Sequence, residues 1–235
     1  MTHLETPPQP APGALSPGTP GPAPVLPTAS CPPGLSSAED THGGSLPSPA
    51  NPWHTVLPIL AVLLLATTLQ LRHQGRSWWC ACGGLDPVAT DIWSPHTSQH
   101  LFDPYSFTHI LHGVVFCGLL AVAVPRLAVA WRFAAAVALE SLWELVENST
   151  FGIERYRTAT VSIGYIGDSI LNSLADILCC SLGFALAWHL GWRRSLVLYL
   201  VVEAGLLLTL RDSLTLNVLM LVHPVEAIRA WQMPH

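Results

Sequence analysis

Five stretches of the chain, 54–71, 106–124, 127–146, 168–190 and 195–210, are almost wholly apolar. Each is close to the ~20 residues that a helix needs to cross ~30 Å of hydrocarbon. In lipid the backbone N–H and C=O groups must be satisfied within the segment itself, which leaves a bundle of spanning helices as the architecture open to such stretches. The predicted fold class is therefore all-α, a polytopic transmembrane helix bundle of about five spanning helices. Composition agrees, with half the residues hydrophobic, 11% charged and a mean hydropathy of +0.42, where a soluble domain carries about 25% charged residues. Trp53, Trp78, Trp79, Trp131, Trp188 and Trp192 fall near the ends of the apolar stretches, as interfacial tryptophans do.

Residues 1–52 read differently. Pro, Gly, Ser, Ala and Thr dominate, and Glu5, Glu39 and Asp40 are the only acidic or basic groups besides histidine. Such a stretch buries too little apolar surface to offset its ordering entropy, so it is expected to be a disordered, Pro-rich arm ahead of an integral membrane helical domain over 53–235. Lacking a basic start and an early apolar core, it does not read as a signal peptide. At the other end, Arg211 and Asp212 interrupt the apolar text, and 213–222 is too short to span again, so a re-entrant or interfacial piece is expected there. Pro224 is expected to open a short interfacial helix with Val225, Ile228 and Trp231 on its apolar face and Glu226 and Arg229 towards water.

The net charge of −5 is dispersed and no basic run occurs, which argues against nucleic acid as a partner and leaves the lipid bilayer. Arg126, Arg132, Arg193 and Arg194 flank the two tightest connections, while Arg72, Arg76, Arg155, Arg157, Arg211 and Arg229 fall on the opposite side. An inner amino terminus and a polar cavity facing outward is the orientation expected from this pattern.

Ionisable groups within the apolar stretches carry the functional signal, since each costs about 2.5–3.5 kcal/mol to insert and so marks a pathway, a relay or a site. His109 and His112 open the second stretch, Glu140, Glu144 and Glu147 close the third, and Asp168 and Asp176 open the fourth. The glutamates follow i, i+4, i+7 and form one helical stripe, as do Asp168, Asn172 and Asp176 at i, i+4, i+8. Antiparallel neighbours bring these polar halves into one leaflet, with Glu203 and Arg211 expected at a similar depth. The seven acids and histidines form the candidate catalytic cluster, and Arg155, Arg157, Asn148 and Asn172 the candidate substrate-binding set. A divalent metal on His109, His112, Glu144 and Asp168 is one chemistry open to such a group.

An architectural reading stands beside it. Glu147 with Arg155, Asp168 with Arg157 and Glu203 with Arg211 would be structural ion pairs, and Asn148 and Asn172 would bond between helices. In the polar stretch 72–104, Cys80, Cys82, His96 and His100, with Asp91 and Asp103 nearby, contain a CxC and two histidines that could bind zinc, although the spacing does not follow paired CxxC units. A Cys80–Cys82 disulfide would be strained. Cys117, Cys179 and Cys180 read as small core residues, and Gly183 with Ala187 as a small-xxx-small helix contact.

The strings SQHLFDPYSFTHILHG (98–113), ESLWELVENSTF (140–151), RYRTATVSIGYIGDSILNSLADIL (155–178) and RDSLTLNVLMLVHPVEAIRAWQ (211–232) resemble an uncharacterised family of bacterial inner-membrane proteins, domain of unknown function 2585. The resemblance covers the chain from about residue 55 to its end and implies a multi-pass protein of the bacterial inner (cytoplasmic) membrane. The layout is also loosely similar to the VanZ-like membrane proteins, a likeness of layout that transfers no activity.

The sequence leaves three functions open. The first is an enzyme acting on a lipid or lipid-linked head group at the membrane interface, with the arginines holding an anionic group. The second is a proton-coupled transporter or permeation element. The third is a non-catalytic envelope assembly or homeostasis factor. The sequence contains no GxSxG elbow, phosphate-cradling Gly loop or dinucleotide fingerprint to name a reaction.

Overall fold

The computed structural model describes residues 51–233, so the predicted arm, but for its last two residues, lies outside the described residues. The elements in order are α1 (Trp53–His73), α2 (Ser106–Ala123), α3 (Val129–Glu147), α4 (Thr150–Ala159), α5 (Ile170–Leu210), α6 (Leu214–Val222) and α7 (Glu226–Gln232). The only extended pairing among the described residues is an isolated bridge between Val88 and Phe102. Three helices, α1, α2 and α5, are long and apolar enough to cross a membrane. The other two of the five expected stretches do not appear as separate helices of this kind, each for its own reason.

The stretch 127–146 does form a helix, but α3 carries Arg132, Glu140, Glu144 and Glu147, which make it too polar to qualify on apolarity alone. The stretches 168–190 and 195–210 form one element of 41 residues, about 62 Å at 1.5 Å per residue and so twice a bilayer core. That element is broken at Gly191, whose φ of 72° and ψ of 166° leave the helical region, a conformation that glycine adopts without steric cost. The Ser195 hydroxyl donates to the carbonyl of Ala187, eight residues earlier, at 3.3 Å. Those positions would lie about 12 Å apart along a straight helix, so the chain reverses at Gly191. Leu198 and Tyr199 then pack back on the cluster that contains Phe184 and Ala187.

The fourth helix, α4, lies where no element was expected. Its signals are local, a Ser149 side chain that accepts from the Gly152 N–H at 3.1 Å, and too little apolar content to register as a block. Ser169 and Ser213 cap α5 and α6 in the same way, each satisfying one of the orphan N–H groups of a helix start. The terminal helix α7 begins at Glu226, two residues after Pro224, and its buried residue is Gln232 rather than Trp231, which is exposed.

Packing centres on α2 against α5, the most extensive helix contact in the molecule. A side chain on Gly113 would lie 1.9 Å from the Cys180 carbonyl oxygen, and one on Gly183 would lie 1.9 Å from that of Ile110. The two backbones therefore touch through a pair of facing glycines. This is how helices associate where lipid removes the hydrophobic drive and van der Waals contact remains. Gly183 was expected in a helix contact, and Ala187 is buried beside it. A second cluster of Val56, Leu60, Ala130, Ala134, Val137 and Ile177 joins α1, α3 and α5. The outer face of α1 stays exposed at Leu57, Val62, Leu65 and Leu69.

Candidate functional site

Above the polar ends of α2, α3 and α5, the long stretch between α1 and α2 is stitched to the start of α5. The Ser169 N–H donates to the Ser98 carbonyl and the Ile170 N–H to that of Ser77, each at 2.8 Å. The Gln99 side-chain amide donates to the Gly167 carbonyl at 2.7 Å. Ser98 is held at a φ of 63°, its N–H bonded to Asp103 Oδ2 at 2.7 Å. Asp103 also accepts from the Tyr105 N–H at 2.7 Å. Burial raises the Asp103 carboxyl above its ordinary value, opposed by these N–H donors.

Below this cover lies a cavity of about 1070 Å³. Its polar lining includes Asp103, His109, His112, Glu147, Asp168 and Asp176, and its apolar walls include Val115, Phe116, Leu139, Leu142 and Trp143. Its deepest reach along α2 is Phe116 and along α3 is Leu139. No residue between 117 and 138, or between 177 and 198, lines it, so the space belongs to one end of the helices.

At the floor, two histidines share one carboxylate. His109 Nδ1 lies 2.5 Å from Glu140 Oε1 and His112 Nδ1 lies 3.0 Å from Glu140 Oε2. Glu140 is fully buried. An acceptor at Nδ1 fixes the neutral imidazole with its proton there and leaves Nε2 as the basic atom. The His112 ring is braced by Phe116, Trp143 and His109, with centroids 5.1–5.9 Å away, and its side chain keeps 15% exposure towards the cavity. His109 Nε2 instead faces Asp176 Oδ2 at 3.8 Å.

Glu144 is fully buried, and neither of its oxygens has a hydrogen-bond partner. Glu147 Oε2 and Asp176 Oδ1 are bare as well. Buried carboxylate oxygens without a partner are costly to keep ionised. Asp168 is by contrast fully engaged. It accepts from the Asn148 amide at 2.8 Å and the Tyr165 hydroxyl at 2.9 Å, and its N–H donates to Asn148 Oδ1 at 2.6 Å.

The residues expected to form the site thus divide. His109, His112, Glu147, Asp168 and Asp176 face the cavity, whereas Glu140 and Glu144 stand directly behind them. Ligand atoms of His109, His112 and Glu140 lie within 4.8 Å of one another, and so do those of His109, Glu144 and Glu147. The set His109, His112, Glu144 and Asp168 does not gather as one group. Arg155 and Arg157 do not reach the cavity. Arg155 donates to the Leu221 carbonyl at 2.8 Å and Arg157 to that of Tyr165, so both tie α4 to its neighbours. Asn148 supports Asp168, and Asn172 reaches the Leu101 carbonyl at 3.4 Å.

The expected pairs Glu147–Arg155, Asp168–Arg157 and Glu203–Arg211 are absent among the described residues, where each ion pair involves a histidine. Glu203 accepts from the Thr215 N–H at 3.2 Å and Arg211 donates to the Trp231 carbonyl, both away from the floor. Of the architectural reading, the arginine pairs do not form, whereas the Asn148 amide does bond the Asp168 carboxylate and the Ser173 hydroxyl across helices.

Residues 71–234 match the family described as a protein of unknown function, DUF2585. The chain belongs to that family. A UPF0314 protein of Paracoccus denitrificans is 45% identical over 180 residues, covering 77% of this chain and 91% of that protein. One of Brucella anthropi is 42% identical over 187 residues, 78% of this chain and 93% of its own, and one of Sphingopyxis alaskensis is 42% identical over 174 residues, 74% and 93%. No solved structure matches the chain. The VanZ-like layout finds no support among these relatives. The family match opens at the last turns of α1 and takes in each cavity-lining residue.

The sequence did not single out Tyr105, Tyr156, Tyr165, Trp143 and Asp212. Tyr105 donates to Asp212 Oδ2 at 3.2 Å, and Asp212 also accepts from Asn217 at 2.9 Å and Gln232 at 3.0 Å. This node fastens α6 and α7 beside the cavity, and burial pushes the Asp212 carboxyl up to about 6. The one available signal was Tyr165, three residues before Asp168 in the GYIGD string; the remainder depends on chain segments meeting.

Proposed function

We propose that the protein is a multi-pass enzyme of the bacterial inner membrane that acts on a lipid or lipid-linked head group, with five apolar helical stretches crossing the bilayer. The observation that carries this reading is one space with apolar walls and a histidine–carboxylate floor, the shape and polarity an amphiphile requires. The His112 imidazole, oriented by Glu140, serves as general base or acid at the head group. Phe116, Leu139, Leu142 and Trp143 receive the acyl part.

Without an arginine or lysine in the lining, an anionic head group needs a cation to enter. His109, Glu144 and Glu147 offer three ligand atoms within 4.8 Å and three bare oxygens, a donor set suited to a divalent ion. The transport reading needs a path onward to the opposite face, and the lining stops at one end of the helices.

The test compares lipid extracts of a deletion strain with those of strains complemented by wild type, His112→Ala or Glu140→Gln. Mass spectrometry should show an amphiphile that accumulates without the protein, disappears with wild type and persists with either variant at equal membrane abundance. Purified wild type should consume that compound. Full complementation by both variants would overturn the reading.

A further inference from the structure

We propose that Cys80, Cys82, His96 and His100 bind one zinc ion, which clamps the loop over the cavity. This site is independent of the chemistry assigned to the floor. The four side chains each present one ligand atom, and those atoms lie within 4.8 Å of one another. Cys80 Sγ is 3.3 Å from His96 Nδ1 and Cys82 Sγ is 3.6 Å from His100 Nε2. Around a tetrahedral zinc with Zn–S of about 2.3 Å and Zn–N of about 2.0–2.1 Å, ligand atoms stand about 3.3–3.8 Å apart. Both measured separations fall in that window.

Two thiolates and two imidazoles are the donor type that selects zinc over the oxygen-seeking cations. The backbone around them has the supports such a site uses. His100 bonds through Nδ1 to the Asp86 carbonyl, which fixes its proton there and turns Nε2 towards the thiols. The Gly84 N–H donates to Cys82 Sγ at 3.4 Å. Gly83 takes a φ of 71° in the turn that brings the two cysteines round. Trp79 packs against the His100 ring at 5.3 Å and donates to the Gly84 carbonyl at 2.7 Å.

The spacing is closer to a zinc pattern than the CxC alone suggests, because His96 and His100 are an H-x3-H pair and thirteen residues, 83–95, separate Cys82 from it, both inside the usual ranges. The departure is one residue fewer between the cysteines. His96 and His100 flank Ser98, whose carbonyl anchors the start of α5 and whose N–H holds Asp103 at the cavity. A metal here fixes the segment that carries those contacts.

Metal analysis of the purified full-length protein in detergent should find about one zinc ion per chain held by these residues. It should fall by about one ion per chain in Cys80→Ser/Cys82→Ser and in His96→Ala/His100→Ala, and stay unchanged in Leu208→Ala on an exposed helical face. Cobalt loaded in place of zinc should give thiolate charge-transfer and tetrahedral ligand-field bands. Because the variants could misfold, wild type provides a second measurement. Alkylation read by peptide mass spectrometry should leave Cys80 and Cys82 unmodified until a strong chelator is added, although Cys82 is exposed. Immediate alkylation of Cys82 in untreated protein, or zinc content indifferent to the cysteines, would overturn the proposal.

Discussion

The cavity floor and the loop cluster are both built around a histidine pair, yet they differ in everything that decides reactivity. At the floor, His109 and His112 are three residues apart on one helix and share a single buried carboxylate, with bare acid oxygens beside them and a large space in front. In the loop, His96 and His100 each meet a thiol beside a smaller recess of about 570 Å³. Hard oxygens left unsatisfied next to an open cavity are suited to an exchangeable ligand, whereas two thiols and two imidazoles that can saturate a tetrahedral metal are suited to a permanent staple. Neighbours, rather than the histidines themselves, separate a site from a support.

That contrast can be broken most severely at the scaffold that both regions share. Gly183→Val should leave no correctly folded protein in detergent gel filtration, because its side chain would overlap the Ile110 carbonyl and α2 would have to leave α5. Wild-type folding of this variant would refute the glycine-mediated contact. Next, His112→Ala should lower turnover of the accumulating amphiphile by about 10²–10⁴, the usual worth of a general base, with thermal stability changed by far less. Equal loss of both would make the floor a structural element like the loop.

Cys80→Ser/Cys82→Ser should show the opposite balance. A clear fall in melting temperature and easier proteolysis within 74–105 are expected, with only a partial loss of turnover, and an unchanged melting temperature would remove the staple. A smaller effect should come from Asp212. Its folded carboxyl, raised to about 6 from 3.8, favours the fold when protonated, so its contribution is full below pH 3.8 and is lost as pH rises through about 6. Asp212→Asn should therefore flatten the decline in thermal stability across that window, and a slope identical to wild type would exclude this group as its source. Smallest of all, Leu208→Ala on an exposed helical face should alter stability by about 0.5 kcal/mol or less, measured by thermal unfolding.

Much of the bundle was legible because helix period and apolar length are local properties. The stripe at 140/144/147 follows from 3.6 residues per turn on α3, whereas of 168/172/176 only Asn172 and Asp176 share α5, since Asp168 lies ahead of its Ser169 cap. The reversal at Gly191 was not legible, since a single residue at positive φ leaves no trace in hydropathy. Nor was the fate of the arginines, because Arg155 and Arg157 meet carbonyls supplied by α6 and by the stretch before α5, partners that spacing alone does not reveal.

By itself, the sequence determined that the described chain forms long apolar helices with histidines and acids at particular turns, because those outcomes depend on each segment's own composition. Only the tertiary structure decided that Glu140 serves two imidazoles, that Glu144 makes no hydrogen bond and has His109 at 3.5 Å, and that two cysteines meet two histidines across a turn. Those facts are distances between side chains from different segments, and such distances are fixed by which backbones can approach, as Gly113 and Gly183 permit α2 and α5 to do.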